Sequence, residues 1–188
     1  MKRAAPTSLG ARSSQIGLAR ASQGPLGSQI EKMGKSKKNV VDPLEIVEKY
    51  GADTLRIYEM FMGPLEQVKP WQTSGCEGIF RFLNRAWRLL IDEESGEAKP
   101  LADESPKAVR KALHQAIKET TEGIAALKFN TPVSRMMEFV NACKGQTPSR
   151  AEAEAFALIL SPYAPHFGEE LWQRFGHQET IADAEWPS

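Results

Sequence analysis

Lys32, Lys35, Lys37 and Lys38 crowd one short stretch of this chain, with Gly34 and Ser36 between them. Small residues let a backbone approach a ligand closely, and ammonium groups are compact positive charges. Such a loop suits a polyphosphate whose charge shifts during reaction, because donors aimed at developing charge lower a barrier electrostatically. A solvated lysine run has the same composition, and composition alone leaves both readings open.

A second grouping depends on helical spacing. Arg81, Asn84, Arg85 and Arg88 recur at i, i+3, i+4 and i+7, which predicts one face of a helix over about 76–91. Ile79, Leu83, Ala86, Trp87 and Leu90 supply the opposite, apolar face. Guanidinium groups suit paired contacts with phosphate oxygens, so the stripe reads as a nucleic-acid backbone contact. Pairing with acids on a neighbouring helix is the other reading. Lys107, Lys111, His114 and Lys118, with Arg110 at their edge, form a similar stripe on the next predicted helix. Two cationic stripes on consecutive helices favour a polyanionic partner.

Other reactive residue types have plainer readings. Ser36 has no histidine nearby, and Asp92, Glu93 and Glu94 suit a solvated helix end. His166, between Pro165 and Phe167, suits a structural histidine, and Trp71 suits cover for a core edge. The three histidines lack metal-ligand spacing, and Cys76 and Cys143 are expected in the core.

The elements that must position these groups are mostly helices. The chain has 188 residues, 41% hydrophobic and 26% charged, with 24 basic and 24 acidic side chains. That suits a globular protein whose polyanion binding would come from local charge, and no apolar run is long enough for a transmembrane helix. Residues 1–29 hold Lys2, Arg3, Arg12 and Arg20 with no acid, and are expected to be a disordered or unrelated tail. Asp42-Pro43, Ser105-Pro106, Thr131-Pro132 and Thr147-Pro148 predict helix starts, each with an N-cap followed by proline at N1. Glu45 suits a capping box with Asp42, Leu44, Ile46 and Val47 suit the apolar face, and Asp53 suits the cap of a second short helix. Val109, Leu113, Ile117, Ile124 and Leu127 are expected inward on the Ser105-Pro106 helix.

Lys32-Met33-Gly34-Lys35-Ser36 resembles the KMSKS motif of class I aminoacyl-tRNA synthetases, with Gly34 in place of the middle serine. It is followed by KKNVVDPLEIVEKYGADTLRIYEMFMGPLEQVKPW, GIFRFLNRAWRLL, FNTPVSRMMEFVN and LSPYAPHFGEELW. In this order the segments resemble the C-terminal part of bacterial-type leucyl-tRNA synthetases, from about residue 30 to 188. The resemblance implies a mainly α fold. A KMSKS-like loop and small mixed stem-contact segment at 30–75 would precede an antiparallel, anticodon-binding helical bundle at 76–188. It implies a loop that closes over ATP, with Mg as counter-ion, while leucine attacks the α-phosphate. Lys32 and Lys35 match the two motif lysines, Lys35 being the one that stabilises the ATP phosphates, and Ser36 completes the motif. It also implies leucine tRNA as partner, contacted by the arginine-bearing helix, and a cytoplasmic setting without a membrane.

Nothing in the chain resembles the HIGH motif or the Rossmann core of that family. The expectation is therefore a ligase fragment, inactive alone and binding no ATP stably. Alternatives are a free-standing tRNA- or RNA-binding module, or one half of a split synthetase whose partner chain carries the Rossmann core.

Overall fold

The computed structural model describes residues 18–22, 29–64 and 67–188. Three short strands form one sheet: β1 (Leu18–Ser22), β2 (Gln29–Lys32) and β3 (Lys69–Trp71). β1 is central, antiparallel to β2 and parallel to β3, with Ala19 opposite both Lys32 and Pro70. The expected tail therefore contains the central strand and the start of β2; residues 1–17 and 23–28 lie outside the described residues.

Seven helices follow in the described residues: α1 (Pro43–Tyr50), α2 (Ala52–Phe61), α3 (Thr73–Leu90), α4 (Lys107–Ala125), α5 (Asn130–Ala142), α6 (Arg150–Leu160) and α7 (Pro165–Arg174). The fold is mainly α, and the helical bundle expected from the sequence is present. α4 packs on α5 and α6, while α3 packs on α2 and α5. One continuous core runs through them. Ile57, Ile79, Phe82, Met136, Phe139 and Phe156 are each at most 1% exposed. Fully burying one such side chain contributes about 1.5–3 kcal/mol.

The four proline starts do not share one mechanism. At α1 the N-cap and proline hold but the capping box does not: Pro43 occupies N1 and Asp42 accepts the Leu44 N–H at 2.9 Å, while Glu45 sits in the first turn without a reciprocal bond to Asp42. α4 begins one residue late, at Lys107. The Ser105 hydroxyl is diverted to accept the Ser149 N–H at 2.6 Å, tying the entries of α4 and α6 together. α5 starts before Thr131, which leaves Pro132 buried inside its first turn. α6 is capped by Ser149, after Pro148, in a reciprocal capping box with Glu152.

Two apolar assignments also change. Leu44 is 68% exposed, and α1 instead buries Ile46 and Tyr50, an i, i+4 pair. Leu127 is exposed with φ +55°, because α4 has already ended at Ala125.

Candidate phosphate loop and nucleic-acid interface

Lys32 closes β2, and the chain then turns sharply. A short 3-10 turn over Lys35–Lys37 is closed by the Lys37 N–H donating to the Gly34 carbonyl at 3.0 Å and the Lys38 N–H to that of Lys35 at 3.2 Å. Asn39 braces this turn from its far end. Its Oδ1 accepts the Gly34 N–H at 2.8 Å, and its Nδ2 donates to the Lys32 carbonyl at 3.4 Å. Sequence reasoning missed Asn39; the available signal was an Asn at the exit of a tight turn, where a short amide bonds local backbone. Lys32, Lys35, Ser36, Lys37 and Lys38 are all exposed. Two ammonium groups and a hydroxyl at such a turn fit the oxygens of a polyphosphate.

Gly34 has φ −162°, an extended conformation open to any residue, and a Cβ there would meet only the Ser36 Oγ, at 3.8 Å. The glycine in the motif is therefore not required by the backbone.

On α3 the arginines do not form one uniform row. Arg88 donates from Nε to Glu93 Oε1 at 2.9 Å, so an acid from the following turn engages it. That turn is held by Asp92, whose Oδ1 accepts the Ser95 amide and hydroxyl and the Glu94 amide. Those bonds hold the Asp92 carboxyl below its usual range. Arg81 and Arg85 are exposed and have no ion-pair partner among the described residues. Asn84 is half-buried and belongs elsewhere: it lines a cleft of about 580 Å³ between α3, the α1–α2 junction and the start of α7. With 3.6 residues per turn, Phe80, Leu83, Asn84 and Trp87 span an arc of about 100° on α3, and the arginines occupy the next arc. Asn84 is the seam between cleft and arginines.

The α4 stripe is exposed too, but partly neutralised. Lys118 lies 3.9 Å from Glu122, and Arg110 lies 3.7 Å from Glu152. Lys107, Lys111 and His114 are exposed. α3 and α4 are consecutive in sequence, yet α5 is the helix that packs on both.

Of the remaining candidates, Trp71 and the two cysteines are structural. Trp71 is 6% exposed, stands edge-on to Tyr58 and donates from Nε1 to Thr73 Oγ1 at 3.2 Å. Cys76 and Cys143 are buried, and burial pushes their thiols up to about 11 and about 12. His166 meets Asp53 through Nδ1 at 2.9 Å. Asp53 does not cap its own helix; its Oδ2 accepts the Phe167 N–H of α7 at 2.7 Å. Among the described residues no cluster of His, Cys, Asp and Glu suits a metal ion, and no helix is long and apolar enough to cross a membrane.

The model of class I tRNA synthetases (I, L, M and V) matches residues 16–69, and that of the anticodon-binding domain of tRNA ligases matches 107–188. The leucine–tRNA ligase of Chlorobaculum tepidum is 51% identical over 163 residues, covering 86% of this chain and 20% of that protein. That of Chlorobaculum parvum is 52% identical over 163 residues, with the same coverage of 86% and 20%. The chain belongs to the leucine–tRNA ligase family.

It spans about one fifth of the length of the curated relatives it matches. Leucine–tRNA ligase 1 of Rhizobium johnstonii is 47% identical over 161 residues, 85% of this chain and 19% of its own length. A LeuRS of Agrobacterium radiobacter, crystallised in a ternary complex with tRNA and LeuAMS, has a TM-score of 0.67 at 26% identity, covering 84% of this chain and 22% of that one. Within the family, the class I match takes in β1, β2, the lysine loop, α1 and α2, whereas the anticodon-binding match takes in α4 to α7. The match from residue 16 also accounts for ordered strand where the sequence suggested a tail.

Proposed function

We propose that this chain serves leucine–tRNA ligation as its phosphate-facing loop and its tRNA-supporting helical unit. In this reading Lys32, Lys35 and Ser36 face the phosphates of ATP, carrying Mg as counter-ion, and Lys35 stabilises charge that develops when leucine attacks the α-phosphate. The pocket for ATP and leucine comes from the remainder of a ligase, in one polypeptide or on a separate chain with a Rossmann core. Alone, this chain is not a complete catalyst. Its setting is the cytoplasm.

Leucine tRNA lies along α3, with Arg81 and Arg85 on its phosphates and Arg88 joining when Glu93 releases it. Lys107, Lys111 and Lys118 of α4 add a second, weaker contact. The observation that carries this reading is the pair of exposed arginines without an acid partner among the described residues, on a chain 51% identical to a leucine–tRNA ligase over 163 residues. Guanidinium groups left free in a protein of zero net charge suit an external polyanion.

The test is binding of purified chain to leucine tRNA, and to an unrelated tRNA, over a salt series. Each phosphate contact contributes about 0.9 to the log–log slope of affinity against salt. Replacing Arg81 and Arg85 by alanine is expected to reduce that slope by about 2. An unchanged slope would remove α3 from the interface. Lys35→Ala in an assay holding the complete ligase should slow leucyl-adenylate formation by about 10²–10³, with tRNA binding unchanged.

A further inference from the structure

The cleft beside the arginines has the build of a nucleobase site. Its α3 wall is Phe80, Leu83, Asn84 and Trp87; across from it lie Tyr50 and His166. Phe80 is 39% exposed and edge-on to Tyr50, with ring centroids 5.8 Å apart, so an aromatic face is open to the cleft. At about 580 Å³ the volume lies in the usual range for small-ligand pockets.

Its polar lining residues are few. Asn84 stands at the seam and brings an amide, which offers an acceptor and a donor side by side, the pattern that reads the N6/N7 edge of adenine. His166 is anchored through Nδ1 on Asp53 and its side chain is 80% exposed, leaving Nε2 for a ligand. The acid that lines the cleft, Asp53, is already engaged by His166 and the Phe167 N–H, and Glu77, outside the lining, accepts the Tyr50 hydroxyl at 3.0 Å. Arg81 and Arg85 do not line the cleft; they stand on the next arc of α3, beyond Asn84.

We infer that this cleft takes an unstacked purine of the bound RNA, stacked on Phe80 and hydrogen-bonded by Asn84, with its phosphate on Arg81 or Arg85. The inference rests on the proposed reading of α3 as an RNA-facing helix and deepens it, by adding base contact to backbone contact. Aromatic stacking and an amide pair act on a neutral ring. Their loss lowers affinity equally at every salt concentration, whereas loss of a phosphate contact changes the slope.

Two measurements test this. In the first, leucine tRNA is titrated against the chain, Asn84→Ala, Phe80→Ala and Arg81→Ala over a salt series. Asn84→Ala and Phe80→Ala are each expected to weaken binding about 10-fold with the slope unchanged. Arg81→Ala is expected to lower the slope by about 1. In the second, amide and side-chain NMR shifts of the chain are followed with AMP, UMP and ribose 5-phosphate. AMP is expected to move the Asn84 amide and the Phe80 and His166 rings, and ribose 5-phosphate to leave them in place.

Weakening by Arg81→Ala with no effect of the two cleft variants overturns the base site and leaves the backbone reading standing. AMP in the cleft without tRNA binding would show a mononucleotide site only, and overturns both the RNA base site and the backbone reading. AMP and ribose 5-phosphate giving the same shifts, or no shift from either, overturns the base site.

Discussion

Asp53 at the start of α2 and His166 at the start of α7 meet through Oδ1 and Nδ1 at 2.9 Å, across 113 residues of sequence. The two partners are unequal. The Asp53 side chain is 11% exposed and also accepts the Phe167 N–H, whereas that of His166 is 80% exposed. Asp53 thus satisfies an N–H in the first turn of α7, a helix whose own N-cap, Ala164, has no side-chain acceptor. Asp53→Ala should cost about 2 kcal/mol, because it strands that donor. His166→Ala should cost under about 1 kcal/mol, since water replaces an exposed ring. Urea unfolding of both variants checks the order, and equal losses would show that the ring rather than the cap holds α7.

The brace at Asn39 predicts a local effect. Asn39→Ala removes both side-chain bonds that brace the lysine turn, to the Gly34 N–H and the Lys32 carbonyl, and leaves its backbone bonds in place. Trypsin should then cut faster at Lys35, Lys37 or Lys38, while global stability changes by less than about 0.5 kcal/mol, because the turn lies outside the core. Gly34→Ser should leave both the cleavage rate and stability as they are, because the backbone is extended and the new Cβ makes only an ordinary contact, with the Ser36 Oγ at 3.8 Å. Faster cleavage in Gly34→Ser would mean that the glycine shapes the turn after all.

Much of this was legible in the sequence, and the failures share a cause. Helical periodicity located the bundle, and the motif stretch located the loop. Partners across the fold were invisible. Ser105 reads as a local cap, yet its hydroxyl serves Ser149, 44 residues away. Asp53 reads as the cap of α2 and serves α7. Arg88 reads as one of three free arginines, yet Glu93 engages it once the chain turns after α3. Asn84 reads as part of the arginine stripe because i, i+3, i+4 spacing gives a face about 100° wide; only the packing of α1, α2 and α7 shows that its edge belongs to a cleft. Local propensity survives translation into structure, whereas a polar side chain goes to whichever backbone group the tertiary fold leaves unpaired.

The buried thiols predict a pH dependence. Burial holds the Cys76 and Cys143 thiols up at about 11 and about 12, against 9.0 for an ordinary cysteine. Above pH 9 the unfolded chain releases protons that the folded chain keeps, so the unfolded state gains and stability falls as pH rises toward 11–12. Below pH 9 these groups leave stability flat. Denaturant midpoints between pH 7 and 11 should show the decline, and a thiol reagent at pH 8 should modify both cysteines only in denaturant. Rapid modification of the native chain would contradict the burial.

Two glycines on one helix predict opposite signs. A Cβ on Gly75 would lie 2.3 Å from Tyr58 Cε2, while one on Gly78 meets nothing within 4 Å. Tyr58 cannot easily retreat: its hydroxyl accepts the Gln72 N–H at 2.9 Å and its ring stands edge-on to Trp71, centroids 4.9 Å apart. Overpacking costs about 1–3 kcal/mol against a gain of about 1 kcal/mol in helix propensity, so Gly75→Ala should destabilise by up to about 2 kcal/mol. Gly78→Ala keeps only the gain and should stabilise by about 0.5–1 kcal/mol. Thermal melts of the two variants measure the difference. A stabilised Gly75→Ala would mean that α3 and α2 slide apart at low cost, which would also reshape the wall of the cleft that α2 shares with α3.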